Sequence, residues 1–259
     1  MPSLPAARAA LLERLIPVAR EAGRAILDVY ATDFAVRGKD DASPVTEADE
    51  RAEAIIVRAL ATIDAGTPVV AEEAVSAGNV PRVGTRFWLV DPLDGTKEFI
   101  SRNGEFTVNI ALVEDGAPTV GVVLAPALDR LFAGAVGCGA FVEENGARRP
   151  IAVRRVPEDG LTVVASRSHG DSEALAGFLQ GRPIAALKNA GSSLKLCLVA
   201  AGEADLYPRL GRTMEWDIAA GHAVLAAAGG HVRTVTGTEL TYGKPGFDNP
   251  HFVASGPAA

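Results

Sequence analysis

The sequence predicts an α+β / α/β fold, on three observations: a long amphipathic helix opens the chain, short apolar runs separated by turn signals fill residues 67–136, and strand-like and helix-like stretches alternate beyond Pro150. With 259 residues, 48% of them hydrophobic, the chain can bury a large core and disorder is not its default. It divides into an α+β half over residues 1–150 and an α/β half over residues 151–259. No repeat or low-complexity linker separates them, so the halves are expected to pack as one unit.

Leu12, Leu15, Ile16, Ala19, Gly23, Ile26, Leu27 and Tyr30 recur at helical spacing with charges opposite, which predicts a structural helix. After a polar loop at residues 37–44, Thr46 reads as a helix N-cap with Asp49 three residues on, followed by Ala52, Ile55, Ile56 and Ala59 on one face. Residues 68–71 and 87–90 read as buried strands that end in acidic residues and face a common cleft. Further strands are predicted at 105–113, 119–124 and 130–136, the first two joined by a hairpin turn at Glu114-Asp115-Gly116. This first half is built around a largely antiparallel sheet. Beyond Pro150 the pattern predicts a strand at 161–165, a helix at 171–180, a strand at 183–187 and a helix at 192–201. A short strand through Asp205-Leu206-Tyr207 and a helix at 215–228, stopped by Gly229-Gly230, complete it. Residues 255–259 read as a loose tail.

Composition excludes several functions. A net charge of −7 provides no basic field for nucleic acid or an anionic membrane, so any anionic ligand must be captured locally. Cys138 and Cys197 are far apart and form no C-x-x-C pair, against a disulfide framework or a zinc site. Arg8, Glu13, Arg14, Arg20, Glu21 and Arg24 interrupt the first apolar stretches, which argues against a signal peptide, and no run approaches the roughly 18 apolar residues of a membrane span. A soluble cytoplasmic protein is expected, as a monomer or a homodimer.

Chemistry concentrates in Asp91-Pro92-Leu93-Asp94-Gly95-Thr96. Pro92 fixes its own φ and biases Asp91 toward extended geometry, so the chain is expected to leave its strand in a rigid turn carrying two carboxylates. Gly95 permits close backbone approach, and Thr96 can open a helix toward Phe99 whose first N–H groups attract phosphate. Oxygen ligands shared with a substrate phosphate suit Mg²⁺. A bare D-x-x-D-G-T is also compatible with an ordinary turn. Glu72-Glu73, at the end of the preceding strand, and Asp217, in the first turn of the 215–228 helix, are the available partners, although each has a plain alternative as a solvated loop or a charge against the helix dipole. Two residues separate the aspartates, unlike the D-x-D-G-T of haloacid-dehalogenase-like enzymes, so Asp91 is not assigned as a nucleophile and an activated water is the better candidate.

In this order, Asp49, Glu72-Glu73, Asp91 to Thr96, and Trp216-Asp217-Ile218-Ala219-Ala220-Gly221 closely resemble the inositol monophosphatase-like, lithium-sensitive phosphatase superfamily. Lys97-Glu98-Phe99-Ile100, Arg102-Asn103-Gly104-Glu105-Phe106-Thr107-Val108-Asn109-Ile110, Ser166-Arg167-Ser168-His169, Gly191-Ser192-Ser193-Leu194-Lys195, Tyr207-Pro208-Arg209 and Asn249-Pro250-His251-Phe252 look like its bacterial 3′(2′),5′-bisphosphate nucleotidases of the CysQ type. The match covers nearly the whole chain. It implies a layered αβαβα sandwich and two or three Mg²⁺ ions held by Glu72, Asp91, the Leu93 carbonyl, Asp94 and Asp217. It also implies that Asp49 and Thr96, with Glu73 beside them, orient and deprotonate the attacking water. On the substrate side it implies Gly95, Thr96, Lys97, Ser168, His169, Ser192, Ser193, Lys195, Arg209 and Asp217.

The implied reaction is hydrolysis of adenosine 3′,5′-bisphosphate to AMP and phosphate, with its sulfated derivative accepted by some members, in the context of sulfur assimilation. An inositol or sugar monophosphatase of the same superfamily is the alternative, and a non-catalytic phosphonucleotide sensor a remoter one. The resemblance leaves open peripheral association with the inner membrane, and whether Asp40 or Asp41 reaches a further metal.

Overall fold

The computed structural model describes residues 3–38, 44–166 and 172–257. Helix α1, Leu4–Tyr30, buries Leu12, Leu15, Ile16, Ala19 and Ile26 along the predicted stripe, and it starts earlier than that stripe because Pro5 falls in the first turn, where no N–H is needed. Strands β1 (Arg37–Gly38) and β2 (Pro44–Val45) form a short antiparallel ladder, so the predicted polar loop is bracketed by paired backbone. Asp40 and Asp41 lie outside the described residues. Helix α2, Glu47–Ile63, begins at the predicted cap: the Thr46 hydroxyl accepts the Ala48 N–H and the Asp49 carboxylate accepts the Thr46 N–H at 2.8 Å. Reciprocal capping of this kind contributes about 1 kcal/mol.

Strand β3, Val69–Ala71, leads directly into a helical turn α3, Glu72–Ser76. Glu72 and Glu73 therefore open a helix instead of closing a strand. The N–H groups of Glu73 and Ala74, left without intrahelical acceptors, donate to the Glu53 carboxylate of α2 at 2.8 and 2.9 Å. Then follow β4 (Arg86–Asp94), α4 (Thr96–Ile100), β5 (Thr107–Glu114), β6 (Ala117–Ala125), β7 (Arg130–Ala135), β8 (Gly139–Glu144) and β9 (Ala147–Ile151). The seven strands β3 to β9 form one sheet in chain order, parallel at β3–β4 and antiparallel elsewhere. Sequence reading missed the β8–β9 hairpin because charge dominates it, although Asn145-Gly146 at its tip, both with positive φ, is a strong two-residue turn signal.

The second half contributes β10 (Leu161–Ser166), α5 (Ser172–Leu179), β11 (Ile184–Ala190), α6 (Leu194–Ala200), β12 (Leu206–Arg209), α7 (Glu215–Ala227), β13 (His231–Thr234) and β14 (Phe252–Ser255). Its five strands are ordered β11-β10-β12-β14-β13, with β10 parallel to both neighbours and β14 antiparallel to both of its own. Two expectations are corrected here. Ser255 is no loose tail, since β14 pairs it with Leu206 and His231. Helix α6 starts at Leu194, not at residue 192, because Ser192 adopts φ +46°, a left-handed conformation that a right-handed helix cannot include.

Alternation along β4 builds the layers. Trp88 and Val90 join α1 and α2 in an outer core, while Phe87 and Leu89 join α6, α7 and the second sheet in a central one. The result is two mixed sheets with helices outside and between them. Helix α7 lies so close to the first sheet that a Cβ at Gly121 would stand 2.4 Å from the Ala220 carbonyl oxygen, and one at Gly134 2.9 Å from Val224 Cα. Among the described residues, no helix is long and apolar enough to cross a membrane.

Gly121→Ala should therefore lower stability by about 1–3 kcal/mol, the usual cost of overpacking, read as a decrease in urea midpoint at unchanged slope. A second prediction concerns His222 on α7, which is buried against the Tyr242 hydroxyl at 2.8 Å and whose imidazole is pushed down to about 3 by burial. The folded pKa lies below the ordinary 6.5, so between these values the unfolded chain binds a proton that the fold refuses. His222 should thus cost stability as pH falls through that window, by about 1 kcal/mol per unit between pH 6 and 4, and His222→Gln should flatten the slope of urea stability against pH by that amount.

Candidate functional site

The site is made by one irregularity in β4. Asp91 pairs with Asn109 and Asp94 with Thr107, so Pro92 and Leu93 together face the single residue Val108 of β5. Proline has no N–H for the ladder, and a bulge is where a strand accommodates it. A regular strand would turn residues three apart to opposite faces. The bulge instead sends Leu93 into the outer core and leaves both Asp91 and Asp94 toward the centre of the molecule. The predicted rigid turn is in fact this bulged strand end, with the Leu93 N–H donating to Asp91 Oδ1 at 3.0 Å.

Around that bulge the fold assembles residues distant in sequence. Carboxylate oxygens of Glu72, Asp91 and Asp217 lie within 4.8 Å of one another. Asp217, in the first turn of α7, accepts the Met214 N–H at 2.8 Å, and Asp94 accepts the Ser193 N–H at 2.6 Å. Burial pushes the Asp217 carboxyl well above the usual range, reinforced by the charges of Asp94 and Glu72. Burial also raises Asp94 to about 6, against the opposing pull of Lys195 and the Ser193 N–H. Hard oxygen donors clustered with more negative charge than their surroundings neutralise are the donor set that a divalent cation fits.

Asp49 Oδ2 is fixed by the Thr46 N–H and hydroxyl, each at 2.8 Å, which turns Oδ1 toward the Thr96 hydroxyl at 3.4 Å. Thr96 Oγ1 is also 3.4 Å from the Leu93 carbonyl oxygen. Gly95, at φ +92°, caps α4 in a conformation open to glycine. A cavity of about 410 Å³ extends from here, and its lining includes Glu72, Asp94, Gly95, Thr96, Lys97 and Asp217 together with Ser192, Ser193, Lys195 and Arg209. Asp49 and Asp91 are buried beside it.

Some predicted site residues are used differently. Glu73 does not line the cavity and is not part of the three-carboxylate group. Lys195 is buried, donates to the Ala190 and Ser192 carbonyls, and stands over the Tyr207 ring at 5.4 Å. Burial lowers its ammonium to about 8. The Ser193 N–H is bonded to Asp94. Ser168 and His169 lie outside the described residues. Glu98, Ser166, Tyr207, Arg212 and Thr213 line the cavity without having been assigned roles; Glu98 was detectable as a carboxylate three residues past the Gly95 cap.

Comparisons with known proteins bear on the family and the fold. A model described as the inositol monophosphatase family matches residues 8–254. The chain is 49% identical over 247 residues to the 3′(2′),5′-bisphosphate nucleotidase CysQ of Salmonella typhimurium (strain LT2), covering 93% of this chain and 98% of that protein. It is 48% identical over 250 residues to the protein of that name in Escherichia coli (strain K12), covering 95% and 99%. Among solved structures, CysQ from Bacteroides thetaiotaomicron, titled a bacterial member of the inositol monophosphatase family, superposes with a TM-score of 0.79 at 37% identity over 96% of this chain and 97% of that one. An IMPase from Thermotoga maritima gives a TM-score of 0.76 at 28% identity, covering 94% and 91%.

If the carboxylate cluster holds a cation, titrating MgCl₂ at about a hundred times its dissociation constant should raise the melting temperature by roughly 5 °C, from about 2.7 kcal/mol of linked binding. Asp91→Asn should lose most of that rise while remaining folded. An equal rise in the variant would remove Asp91 from the cation site.

Proposed function

The chain belongs to the inositol monophosphatase family, and on that premise we propose that it is a Mg²⁺-dependent phosphatase that hydrolyses the 3′-phosphate of adenosine 3′,5′-bisphosphate, releasing AMP and phosphate, in the cytoplasm. The observation that carries the substrate assignment is the near-full-length similarity, at 48–49% identity, to the two CysQ nucleotidases, supported by a cavity lined by both carboxylates and cationic side chains.

Glu72, Asp91, Asp94, Asp217 and the Leu93 carbonyl are the residues that would hold the cation, while Glu73, outside the cavity, retains a supporting place beside Glu72. Bound Mg²⁺ supplies charge neutralisation and Lewis acidity to the phosphoryl group. The protein's own contribution to the attack is the Asp49–Thr96 pair: the Thr96 hydroxyl holds the water and donates to Asp49 Oδ1, which takes up the proton as the water oxygen bonds to phosphorus. The 3′ oxygen leaves and is protonated from solvent.

Backbone N–H groups of Gly95 and Thr96 offer fixed donors to the phosphoryl oxygens, where charge develops. Lys97, exposed at the cavity rim, adds a cation on the same side. Elsewhere in the lining, Arg209 and Lys195 supply positive charge for the second phosphate, together with Ser192 and Ser193. Because a site built for two phosphates leaves cationic groups unpaired around a substrate with one, discrimination should be large.

Purified protein with MgCl₂ should release phosphate from adenosine 3′,5′-bisphosphate with a kcat/KM roughly a hundred-fold above that for inositol 1-phosphate. A preference for inositol 1-phosphate, or none, overturns this assignment in favour of a sugar-phosphate monoesterase.

A further inference from the structure

The Gly191–Ser193 turn adjoins Asp94 and brings Ser192 and Ser193 into the cavity lining, and its conformation is not one the chain adopts unaided. Ser192 is a non-glycine residue at φ +46°. Such a conformation is costly for an L-residue and persists when its surroundings impose it. Three groups do so. Asp94 accepts the Ser193 N–H at 2.6 Å, Lys195 Nζ donates to the Ala190 and Ser192 carbonyls, and Glu105 Oε2 accepts the Gly191 N–H at 2.8 Å. The Ser192 hydroxyl oxygen, also buried, has no partner among the described residues and belongs to the cavity lining.

Of the three, Glu105 alone neither lines the cavity nor stands among the clustered carboxylates. Its own backbone N–H is held by Asn103 Oδ1 at 2.8 Å, so the side chain projects from a braced loop. Contact with the turn is close on this side: a Cβ at Gly191 would meet the Glu105 carbonyl oxygen at 2.7 Å and Glu98 Cγ at 2.9 Å. The turn is thus pressed flat against the loop that follows α4, and its carboxylate bond is what fixes it there.

We propose that Glu105 is a positioning residue that sets the affinity for the bisphosphorylated substrate, by hydrogen-bonding the Gly191 N–H and so holding Ser192, Ser193 and Lys195 in register with the second phosphate. The inference rests on the nucleotidase reading above. It assigns Glu105 no part in the chemistry, because neither the carboxylate cluster nor the Asp49–Thr96 pair depends on the bond to Gly191. Hydrogen bonding, not charge, is the operative property, and glutamine preserves it while aspartate, one methylene shorter, does not reach.

The test compares Glu105→Gln, Glu105→Asp and Glu105→Ala with the wild type, using adenosine 3′,5′-bisphosphate and MgCl₂. Losing the hydrogen bond to the Gly191 N–H should raise KM roughly ten-fold in the Asp and Ala variants, with kcat changed by no more than about two-fold and the Mg²⁺-induced rise in melting temperature intact. Glu105→Gln should stay close to wild type. The opposite pattern, with Asp normal and Gln impaired, would assign the effect to charge and overturn the proposal. So would wild-type KM in all three variants, or a decrease in kcat at constant KM. Should Glu105→Ala fail to fold, the Gln and Asp pair decides alone. A wild type indifferent to the bisphosphate overturns the proposed function and this inference with it, whereas a selective wild type with unaffected variants overturns the inference alone.

Discussion

The site depends on a single extra residue in β4. Without it, Asp91 and Asp94 would point to opposite faces of a sheet whose two sides serve different purposes, one packed against α1 and α2 and the other facing α7. The bulge at Pro92-Leu93 turns an odd spacing into a shared direction and seats Leu93 in the outer core as an anchor. The rigidity of the site comes from there. The two carboxylates are carried by a strand end paired to β5, not by a loop free to relax away from its neighbours' charge.

The second fixed body is α7, which must bring Asp217 to that strand. Gly121 and Gly134 remove side chains where the helix crosses β6 and β7, and Gly221 does the same against Leu196 of α6, where a Cβ would come within 2.7 Å. Small residues facing one another allow a close approach that dispersion rewards only when no void remains. The helix start is fixed separately: Glu215, fully buried, accepts the N–H groups of Gly243 and Lys244 at 2.7 and 3.0 Å and the Lys244 ammonium at 2.6 Å. Asp217, two residues on, inherits a position set by packing along the helix and by an ion pair at its end. This double fixing is what allows burial to raise its carboxyl without the side chain swinging out to water.

Much of this was legible in the sequence, and the failures share a cause. Helices with a one-sided apolar stripe, such as α1, and with a polar cap, such as Thr46–Asp49 at α2, declare themselves locally. The identities of Glu72, Asp91, Asp94, Asp217, Asp49 and Thr96 as candidates were likewise readable from motif order. What could not be read was direction. Whether Pro92 produced a turn or a bulge depended on the register of β5, a strand thirteen or more residues on. The burial of Lys195 could not be read because nothing in its own helix announces that β12 brings Tyr207 over it or that the Ala190 and Ser192 carbonyls turn back to its ammonium. Glu105 was only one letter in a matching motif until β11 delivered Gly191 beside it. The short strands β13 and β14 fall in the same class, since four residues carry too little periodicity to register and acquire their identity only from a partner.

Electrostatics explains why the anionic and cationic groups of the cavity differ in construction. A chain of net charge −7 offers an anionic substrate no long-range attraction, so recognition must be local. Among the carboxylates, burial first and neighbouring charge second raise Asp94 to about 6 and push Asp217 well above the usual range, so an entering cation would be favoured by both. For the cationic groups the problem is inverted. Lys195 is buried and lowered to about 8, and it stays oriented because backbone carbonyls and the Tyr207 ring take the place of water. Two bonds join the sets: Asp94, among the carboxylates, accepts the Ser193 N–H, and the Ser193 hydroxyl donates to the Asp217 carbonyl, so a change of charge at the cation site is felt directly by the adjoining turn. Cation binding and the geometry of that turn are therefore coupled through Ser193, and Glu105 holds the same turn from Gly191, outside the clustered carboxylates.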